Sequence, residues 1–190
     1  MVFKVIVLCI LAVAAVQAAV VANVTVGSAT VKLGQTVDVN VDISNVSDLF
    51  DYQFDIAFDP TKLSANNVTE GGFLIDGGVN TTAFFGGNID NVGGTISTIS
   101  DTIIGAVSGV NGAGTLVTLD FTAIGLGVSP VTISNITLED SQLPRQPIAF
   151  ISSNGSITSE VPEPRSGPAL LIGAIALISP LLKRRVFAKS

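Results

Sequence analysis

The chain contains 190 residues with 15 acidic and nine basic side chains, which gives a formal net charge of −6, and it has neither histidine nor tryptophan. Without histidine, a Ser-His-Asp or Cys-His catalytic group and a histidine-ligated zinc or iron site are excluded. The single cysteine, Cys9, lies in the first apolar stretch, so the rest of the chain can form no disulfide, thiolate nucleophile or cysteine-ligated metal site.

The N-terminus has the pattern of a secretory signal peptide. Lys4 precedes an uninterrupted apolar stretch at residues 5–16 that is too short to span a membrane comfortably. Val16-Gln17-Ala18 then supplies small residues at the −3 and −1 positions of a cleavage site. We therefore predict a signal peptide at residues 1–18, cleaved after Ala18 or the following residue. A retained N-terminal anchor is the alternative interpretation.

The segment at residues 20–160, which we take as one domain, is strongly acidic. It contains fourteen Asp and Glu residues and only three basic ones, Lys32, Lys62 and Arg145, for a net charge near −11. Such a charge argues against binding to nucleic acid and against adhesion to anionic lipid. It suits solubility outside the cell, or the binding of cations and basic partners.

Alternating apolar and polar residues predict strands through this domain. At residues 49–58 the pattern places Tyr52 inside and Asp51 and Asp55 on the wet face, and Asp59-Pro60 ends the strand. The other strands are expected at residues 22–26, 29–31, 36–43, 62–68, 96–99, 103–104, 115–123, 131–138, 149–151 and 156–158.

Two places interrupt the alternation. The segment at residues 71–112 is the least regular part of the domain, with several Gly-Gly pairs and the adjacent Phe84 and Phe85. The alternation also changes phase at Ser134-Asn135, where we expect a bulge or break. Roughly nine or more short strands, separated by turns and without a long helical period, predict an all-β sandwich.

Three stretches carry a family resemblance: Val31-Lys32-Leu33-Gly34-Gln35-Thr36-Val37, Tyr52-Gln53-Phe54-Asp55-Ile56-Ala57-Phe58-Asp59-Pro60-Thr61-Lys62-Leu63 and Gly112-Ala113-Gly114-Thr115-Leu116-Val117-Thr118-Leu119-Asp120-Phe121. In order and spacing they are similar to cohesin domains, the jelly-roll modules of cellulosome scaffoldins, over about residues 24–157. The resemblance implies a jelly-roll β-sandwich of about nine strands, related in fold to carbohydrate-binding modules. It also implies non-catalytic protein binding, typically of dockerins, through one sheet face. None of the matching positions is a binding residue of the family, so a fold is implied and no site.

The last thirty residues, 161–190, form a separate unit. Val161-Pro162-Glu163-Pro164 is followed by an apolar run at residues 167–182 and then by Lys183-Arg184-Arg185. As a helix the run reaches roughly 24 Å, and snorkelling by the basic residues extends it across the ~30 Å hydrocarbon core. The basic stop predicts a cytoplasmic C-terminus. An amphipathic or core helix is the alternative.

These three parts, in this order, resemble a bacterial PEP-CTERM sorting signal. The resemblance implies recognition by a membrane transpeptidase of the exosortase type and cleavage near Pro162-Glu163-Pro164. It further implies transient anchoring in the inner membrane, then display at the cell surface or in an exopolysaccharide matrix.

Residues that could carry chemistry are few. Paired Asp side chains could supply the acid and base of a glycosidase, but Asp51 and Asp55 lie on the wet face, where charges usually keep a protein soluble. Residues 88–91, and Asp48 with Asp51, offer the oxygen ligands that calcium needs, without an EF-hand pattern. We predict no cofactor and name no ligand set for a structural calcium ion.

Phe84 and Phe85 are candidate ligand contacts, because one of two adjacent strand residues faces outward. Packing in the core is the alternative for both. Together these patterns predict a secreted, surface-sorted binding module that is not an enzyme and that engages a dockerin-like or other matrix protein. Binding of a polysaccharide and a purely structural role in the matrix remain the alternative functions.

Overall fold

The structure, a computed structural model, describes residues 21–162. The alternating segments form eleven strands, with one short helix, α1 (Gly72–Ile75), and a 3₁₀ turn (Asp76–Gly78) after the fifth strand. The strands are β1 (Ala22–Val26), β2 (Ala29–Lys32), β3 (Thr36–Leu49), β4 (Asp51–Ala57), β5 (Leu63–Glu70), β6 (Phe85–Asp90), β7 (Thr95–Thr102), β8 (Val110–Ala123), β9 (Gly127–Glu139), β10 (Phe150–Ser153) and β11 (Gly155–Glu160).

The strands form two sheets that pack face to face. The five-stranded sheet has the order β10-β1-β3-β8-β5, and the six-stranded sheet has the order β2-β11-β9-β4-β7-β6. Neighbouring strands are antiparallel, except that β1 runs parallel to β10 and β2 parallel to β11. This architecture confirms the predicted all-β sandwich.

The eleven strands of the described residues agree with the roughly nine or more expected, and both ends of the domain cross between the sheets. β1 belongs to the five-stranded sheet and β2 to the six-stranded sheet, with only Gly27 and Ser28 between them. β10 and β11 change sheets in the same way across Asn154. A Cβ atom on Gly155 would lie 1.8 Å from the carbonyl oxygen of Gly27, so the two crossings meet at a contact that requires glycine.

One apolar core fills the space between the sheets. Tyr52 and Phe54 of β4 and Phe121 of β8 are among its largest fully buried side chains. As predicted, Tyr52 faces inward, and its hydroxyl group donates a hydrogen bond to the carbonyl oxygen of Leu116 on β8 at 2.9 Å. This bond links the two sheets inside a core whose apolar burial supplies most of the stability.

The predicted irregularity in β9 is confirmed. The pairing of β9 with β4 shifts register between Gln53 and Asp55, and Asn135 has a φ of 52°. The expected strand at residues 103–104 is wrong: Ile103 makes a single bridge to Thr82, because the chain turns away from the sheet after Thr102.

The segment at residues 71–112 is more regular than the sequence indicates. It contains the hairpin of β6 and β7 and the beginning of β8. Two of the six residues of β6 are glycines, so its alternation is weak. A Cβ atom on Gly87, which has a φ of 82°, would lie 2.7 Å from the carbonyl oxygen of Ser97. The close approach that demands glycine thus removes the strand signal.

Several predictions fall outside the described residues. These are the signal peptide at residues 1–18, Glu163 and Pro164 of the sorting motif, the apolar run at residues 167–182 and the basic stop Lys183-Arg184-Arg185. Between residues 21 and 162, none of the helices has the length and apolar character needed to cross a membrane.

Candidate interaction surface on the six-stranded sheet

The outer face of the five-stranded sheet is a polar ladder whose side chains bond to one another. Thr115 donates to Asp42 at 2.7 Å, and Thr118 donates to Asn40 at 3.0 Å. Asn66 donates to Thr122 at 2.9 Å across the next strand pair. Cross-strand bonds of this kind stabilise a solvated sheet face. Here they engage Asp42, Asn40 and Asn66 within the face itself.

The outer face of the six-stranded sheet is organised in rows across β9, β4 and β7. Asp51 lies between Glu139 and Thr102 in the first row. In the second row, Gln53 lies between Thr137 and Ser100, and Phe85 of β6 extends the row beyond Ser100. Asp55 occupies the centre of the third row beside Ser134.

Asp55 clamps the irregular positions of both neighbouring strands. Its Oδ1 accepts a hydrogen bond from the backbone N–H of Thr98 on β7 at 2.7 Å, and its Oδ2 accepts one from the side-chain amide of Asn135 on β9 at 2.6 Å. Both partners have positive φ, 60° for Thr98 and 52° for Asn135. A β-branched residue rarely adopts this conformation, which costs about 1–3 kcal/mol and occurs preferentially at functional sites.

The sequence pattern does not indicate this clamp. From the sequence, Asp55 is expected only to keep the strand soluble, and the bulge at Asn135 is expected without a hydrogen bond to Asp55. The change of phase in the sequence of β9 indicates the bulge at Asn135. No sequence pattern signals the positive φ of Thr98 in the middle of β7.

Exposed apolar side chains lie at one end of this face. Leu143 is 91% exposed and Val107 is 47% exposed, and both line the same cleft. Loops at residues 105–108 and 141–145 line a cleft of about 440 Å³ beside Leu143, with Phe50 at its floor. Apolar groups clustered at a rim, rather than scattered singly, are typical of interaction surfaces.

Arg145 is the only basic side chain on this end of the described domain. Its guanidinium group lies 4.1 Å from the centroid of the Phe50 ring, and its Nη1 donates a 3.4 Å hydrogen bond to the Thr102 hydroxyl. The same atom lies 3.9 Å from the carboxylate of Asp51. Stacking on the ring and the nearby acid hold the guanidinium group between the cleft and the first row.

Asp48 holds the loops of the cleft in place. Its carboxylate accepts hydrogen bonds from the backbone N–H of Gly109 at 2.7 Å and from the hydroxyl of Ser141 at 2.9 Å. Asn111 in turn accepts a bond from the backbone N–H of Asp48 at 2.9 Å. The two loops are therefore tied to β3 and β8, so the cleft is preformed.

The structure separates the two candidate phenylalanines. Phe84 is half-buried and packs against the core, whereas Phe85 lies on the outer face of the sheet edge. Val161 and Pro162 of the sorting motif are exposed immediately after β11.

The groups of oxygen ligands considered for calcium serve other purposes. Asp90 accepts hydrogen bonds from the backbone N–H groups of Val92 and Gly93, both at 2.9 Å, and these bonds lower the pKa of its carboxyl group. The side-chain amide of Asn91 pairs with both backbone groups of Ala65. Within residues 21–162 there is no cluster of three or more His, Cys, Asp or Glu side chains that could hold a metal ion.

The described domain is thus a two-sheet sandwich with an apolar-lined cleft beside the outer face of the six-stranded sheet. The sequence model of the cohesin-domain family matches residues 22–158, and the chain belongs to this family. Cohesin domains are non-catalytic modules that bind dockerins.

Individual relatives agree with this assignment. The chain is 32% identical over 114 residues to cellulose-binding protein A of Clostridium cellulovorans, a match that covers 58% of this chain and 6% of that protein. It thus spans only a small part of that relative. The fold resembles the seventh ScaB type I cohesin of Pseudobacteroides cellulosolvens, with a TM-score of 0.61 and 20% identity over 76% of this chain and 96% of that one. The OlpC cohesin of Clostridium thermocellum, solved in a type I cohesin–dockerin complex, gives a TM-score of 0.62 with 17% identity over 77% and 97% of the two chains.

Proposed function

We propose that the chain is a secreted, surface-sorted, non-catalytic module that binds a dockerin-like protein through the outer face of the six-stranded sheet. The observation that carries this proposal is the Asp55 clamp, which holds Asn135 and the β-branched Thr98 at positive φ on the two strands beside β4. The apolar rim beside the same face supports it. Partner domains of the similar OlpC complex are dockerins.

The chemistry of the face defines the partner. Asp51, Asp55 and Glu139 present carboxylates, and among residues 21–162 Arg145 is the only cation beside them. A complementary surface therefore offers Lys, Arg or hydroxyl donors to the rows, together with an apolar side chain for the cleft next to Leu143. Such a core of apolar contact within a polar surround is common in protein–protein interfaces.

The sorting part of the proposal is supported by the sequence pattern alone. A signal peptide at residues 1–18 delivers the domain across the membrane, and residues 161–190 act as a PEP-CTERM signal. In this scheme an exosortase-type enzyme cleaves near Pro162-Glu163-Pro164. The helix at residues 167–182 anchors the chain beforehand in the inner membrane, with its C-terminus in the cytoplasm. The exposure of Val161 and Pro162 is compatible with access by such an enzyme.

A capture experiment tests the binding proposal. Residues 20–160 are immobilised and exposed to matrix proteins of the producing cells, with and without calcium. Leu143→Asp places a charge in the apolar rim and should reduce capture at least tenfold. Ile151→Asp is the matched control, because Ile151 is 61% exposed on β10 of the other sheet and should not affect capture. Equal capture by both variants, or stronger loss with Ile151→Asp, contradicts the proposed face.

Binding of a polysaccharide is the second candidate function. Phe85 favours it, since an exposed aromatic ring in line with Gln53 and Ser100 offers a stacking surface beside polar groups. Passing exopolysaccharide over the same immobilised domain distinguishes the two functions. If the domain retains the polysaccharide, and Phe85→Ala abolishes this retention while Leu143→Asp does not, the result supports polysaccharide binding.

A further inference from the structure

An acidic side chain points into the core of the sandwich. Asp101 lies on β7 directly opposite Tyr52 of β4, in the inward-facing phase of the strand, and it is 1% exposed. Burying a carboxylate without a cation or several donors is costly. If Asp101 is counted as a carboxylate, its Oδ1 has no hydrogen-bond donor among the described residues.

A second acid lies in the opposite sheet. Glu70, at the end of β5, accepts a hydrogen bond from Thr82, and Thr82 in turn is bridged to Ile103, two residues after Asp101. Two carboxylates cannot bond to each other, whereas a carboxyl group can donate to a carboxylate. Asp101 is buried whereas Glu70 is only half-buried, so burial favours Asp101 as the protonated donor of the pair.

The surrounding charges disfavour a second ionised group. Tyr52 faces the pair from β4, and its hydroxyl is committed to the carbonyl oxygen of Leu116. The negative charge of Asp51, on the outer side of the same strand, also raises the pKa of Asp101. The nearest cation described, Arg145, is directed to Asp51 and to the Phe50 ring. A backbone N–H of Thr102 is the one group that favours the Asp101 anion.

We propose that Asp101 and Glu70 share one proton and form a latch that closes the sandwich between β7 and β5 in mildly acidic surroundings and loosens when the proton is lost. The contact joins the two sheets on the side where β6 and its preceding segment cover the core. It is distinct from the outer face proposed to bind a partner, because Asp101 points to the inner side of the six-stranded sheet and Glu70 belongs to the five-stranded sheet.

The direction in which stability changes with pH follows from the difference between the Asp101 pKa in the folded chain and in the unfolded chain. Burial, and then the charge of Glu70, raise its pKa from the ordinary 3.8 to about 7 in the folded chain. Between these two values the folded chain holds a proton that the unfolded chain has released, so stability decreases as pH rises through this window. The Asp101 pKa in the folded chain lies about three pH units above its ordinary value, so the unfolding equilibrium constant can increase by up to about a thousand-fold as pH rises through this window.

Loosening should be visible locally as well. The segment before β6 is held against β7 by the backbone N–H of Ala83 donating to Thr102 and that of Ile104 donating to Thr81, both at 2.8 Å. These bonds flank the acid pair. Their amide hydrogens should exchange faster with solvent above pH 7 than the intrinsic exchange chemistry accounts for, while core amides of β8 should not.

The test compares unfolding of the secreted chain between pH 5 and pH 8. In the native protein the unfolding equilibrium constant should rise at least thirty-fold over this range. Asp101→Asn donates to Glu70 at every pH, so its profile should be flat and it should be the more stable protein at pH 8. Glu70→Gln removes the neighbouring charge but leaves Asp101 buried, so its profile should be less steep than that of the native protein without becoming flat. Asp42→Asn, an exposed acid on the other sheet, should keep the native profile.

If a variant fails to fold, the proposal can still be tested by a measurement on the native protein. Carbon NMR of the native side-chain carboxyl groups should show Asp101 titrating with a midpoint near 7. A midpoint below 5 overturns the proposal, as do parallel stability profiles of the native chain and Asp101→Asn. Because no partner is needed, the result is independent of whether the outer face binds a dockerin-like protein.

Discussion

Replacing Asp55 with Ala tests whether the clamp on the six-stranded sheet maintains the surface. The change removes the acceptor from the backbone N–H of Thr98 at 2.7 Å and from the amide of Asn135 at 2.6 Å. Hydrogen bonds to charged groups contribute about 1.5–3 kcal/mol each. Both donors are exposed, so water can replace the carboxylate. We therefore expect a loss of only about 1–2 kcal/mol in the free energy of unfolding.

Release of strain limits this loss further. The φ of 60° at Thr98 costs about 1–3 kcal/mol, which the chain recovers if β7 relaxes to ordinary strand geometry. The stability change is thus small and the change in local geometry large. Asp55→Ala should shift the amide resonances of Thr98 and Asn135 strongly and reduce capture of the partner far more than it reduces stability.

Urea denaturation and amide NMR spectra of the same variant measure the two effects. Asp42→Ala is the control, since Asp42 accepts one side-chain hydrogen bond, from Thr115, on the ladder of the opposite sheet. Its loss should stay near 0.5 kcal/mol with no distant shifts. Unchanged resonances at Thr98 in Asp55→Ala would refute the clamp. So would a loss above about 4 kcal/mol, which requires a buried rather than a solvated pair.

Two predictions concern the core. Tyr52→Phe should lower the free energy of unfolding by about 1 kcal/mol, because the Leu116 carbonyl oxygen keeps the backbone N–H of Gly71 as a donor at 2.8 Å. Thermal unfolding measures this change, and a loss above about 3 kcal/mol contradicts the prediction. Gly71→Ala should prevent native folding, because its Cβ would lie 2.1 Å from the carbonyl oxygen of Thr115. Circular dichroism compares it with Gly72→Ala, whose Cβ would meet nothing within 4 Å, and equal melting of the two excludes the clash.

Alternation made much of the fold predictable. In β4, Tyr52 and Phe54 are buried and Gln53 is exposed, as the period of two requires. The alternation is absent from β6, because Gly86 and Gly87 occupy positions where side chains would otherwise show the pattern. Glycine is needed there for close backbone approach, so the physical requirement and the weak signal have the same cause.

The candidate surface was predictable only in part. The outward position of one of the two phenylalanines followed from strand geometry, whereas the choice of Phe85 depended on the register of β6 with β7. Leu143 and Arg145 lie in a loop, where no period indicates which side chains face solvent or one another. Their contacts with Phe50 and Thr102 arise between segments more than forty residues apart in sequence.

The acids show most clearly what the sequence leaves undetermined. Asp42, Asp55 and Asp101 all lie on strands between apolar or hydroxyl residues. In the structure, one belongs to a solvated ladder, one holds two strained residues, and one is buried against a second acid. Their roles differ because the neighbouring strand supplies a hydroxyl, a bare N–H or a carboxyl group. That difference depends on cross-strand register, which is a long-range property of the sheet.

The direction of the strands relates recognition to anchoring. β9 begins at Gly127 beside Ser159, close to the exit of the chain at Val161, and it ends at Glu139 beside Asp51 and the cleft. Thirteen residues at about 3.3 Å each separate these ends by roughly 40 Å. With residues 161–190 anchored as proposed, the cleft and the first row lie at the far end of the domain. A partner approaching from outside therefore meets Leu143 and Arg145 first, while the sorting tail is handled at the opposite end.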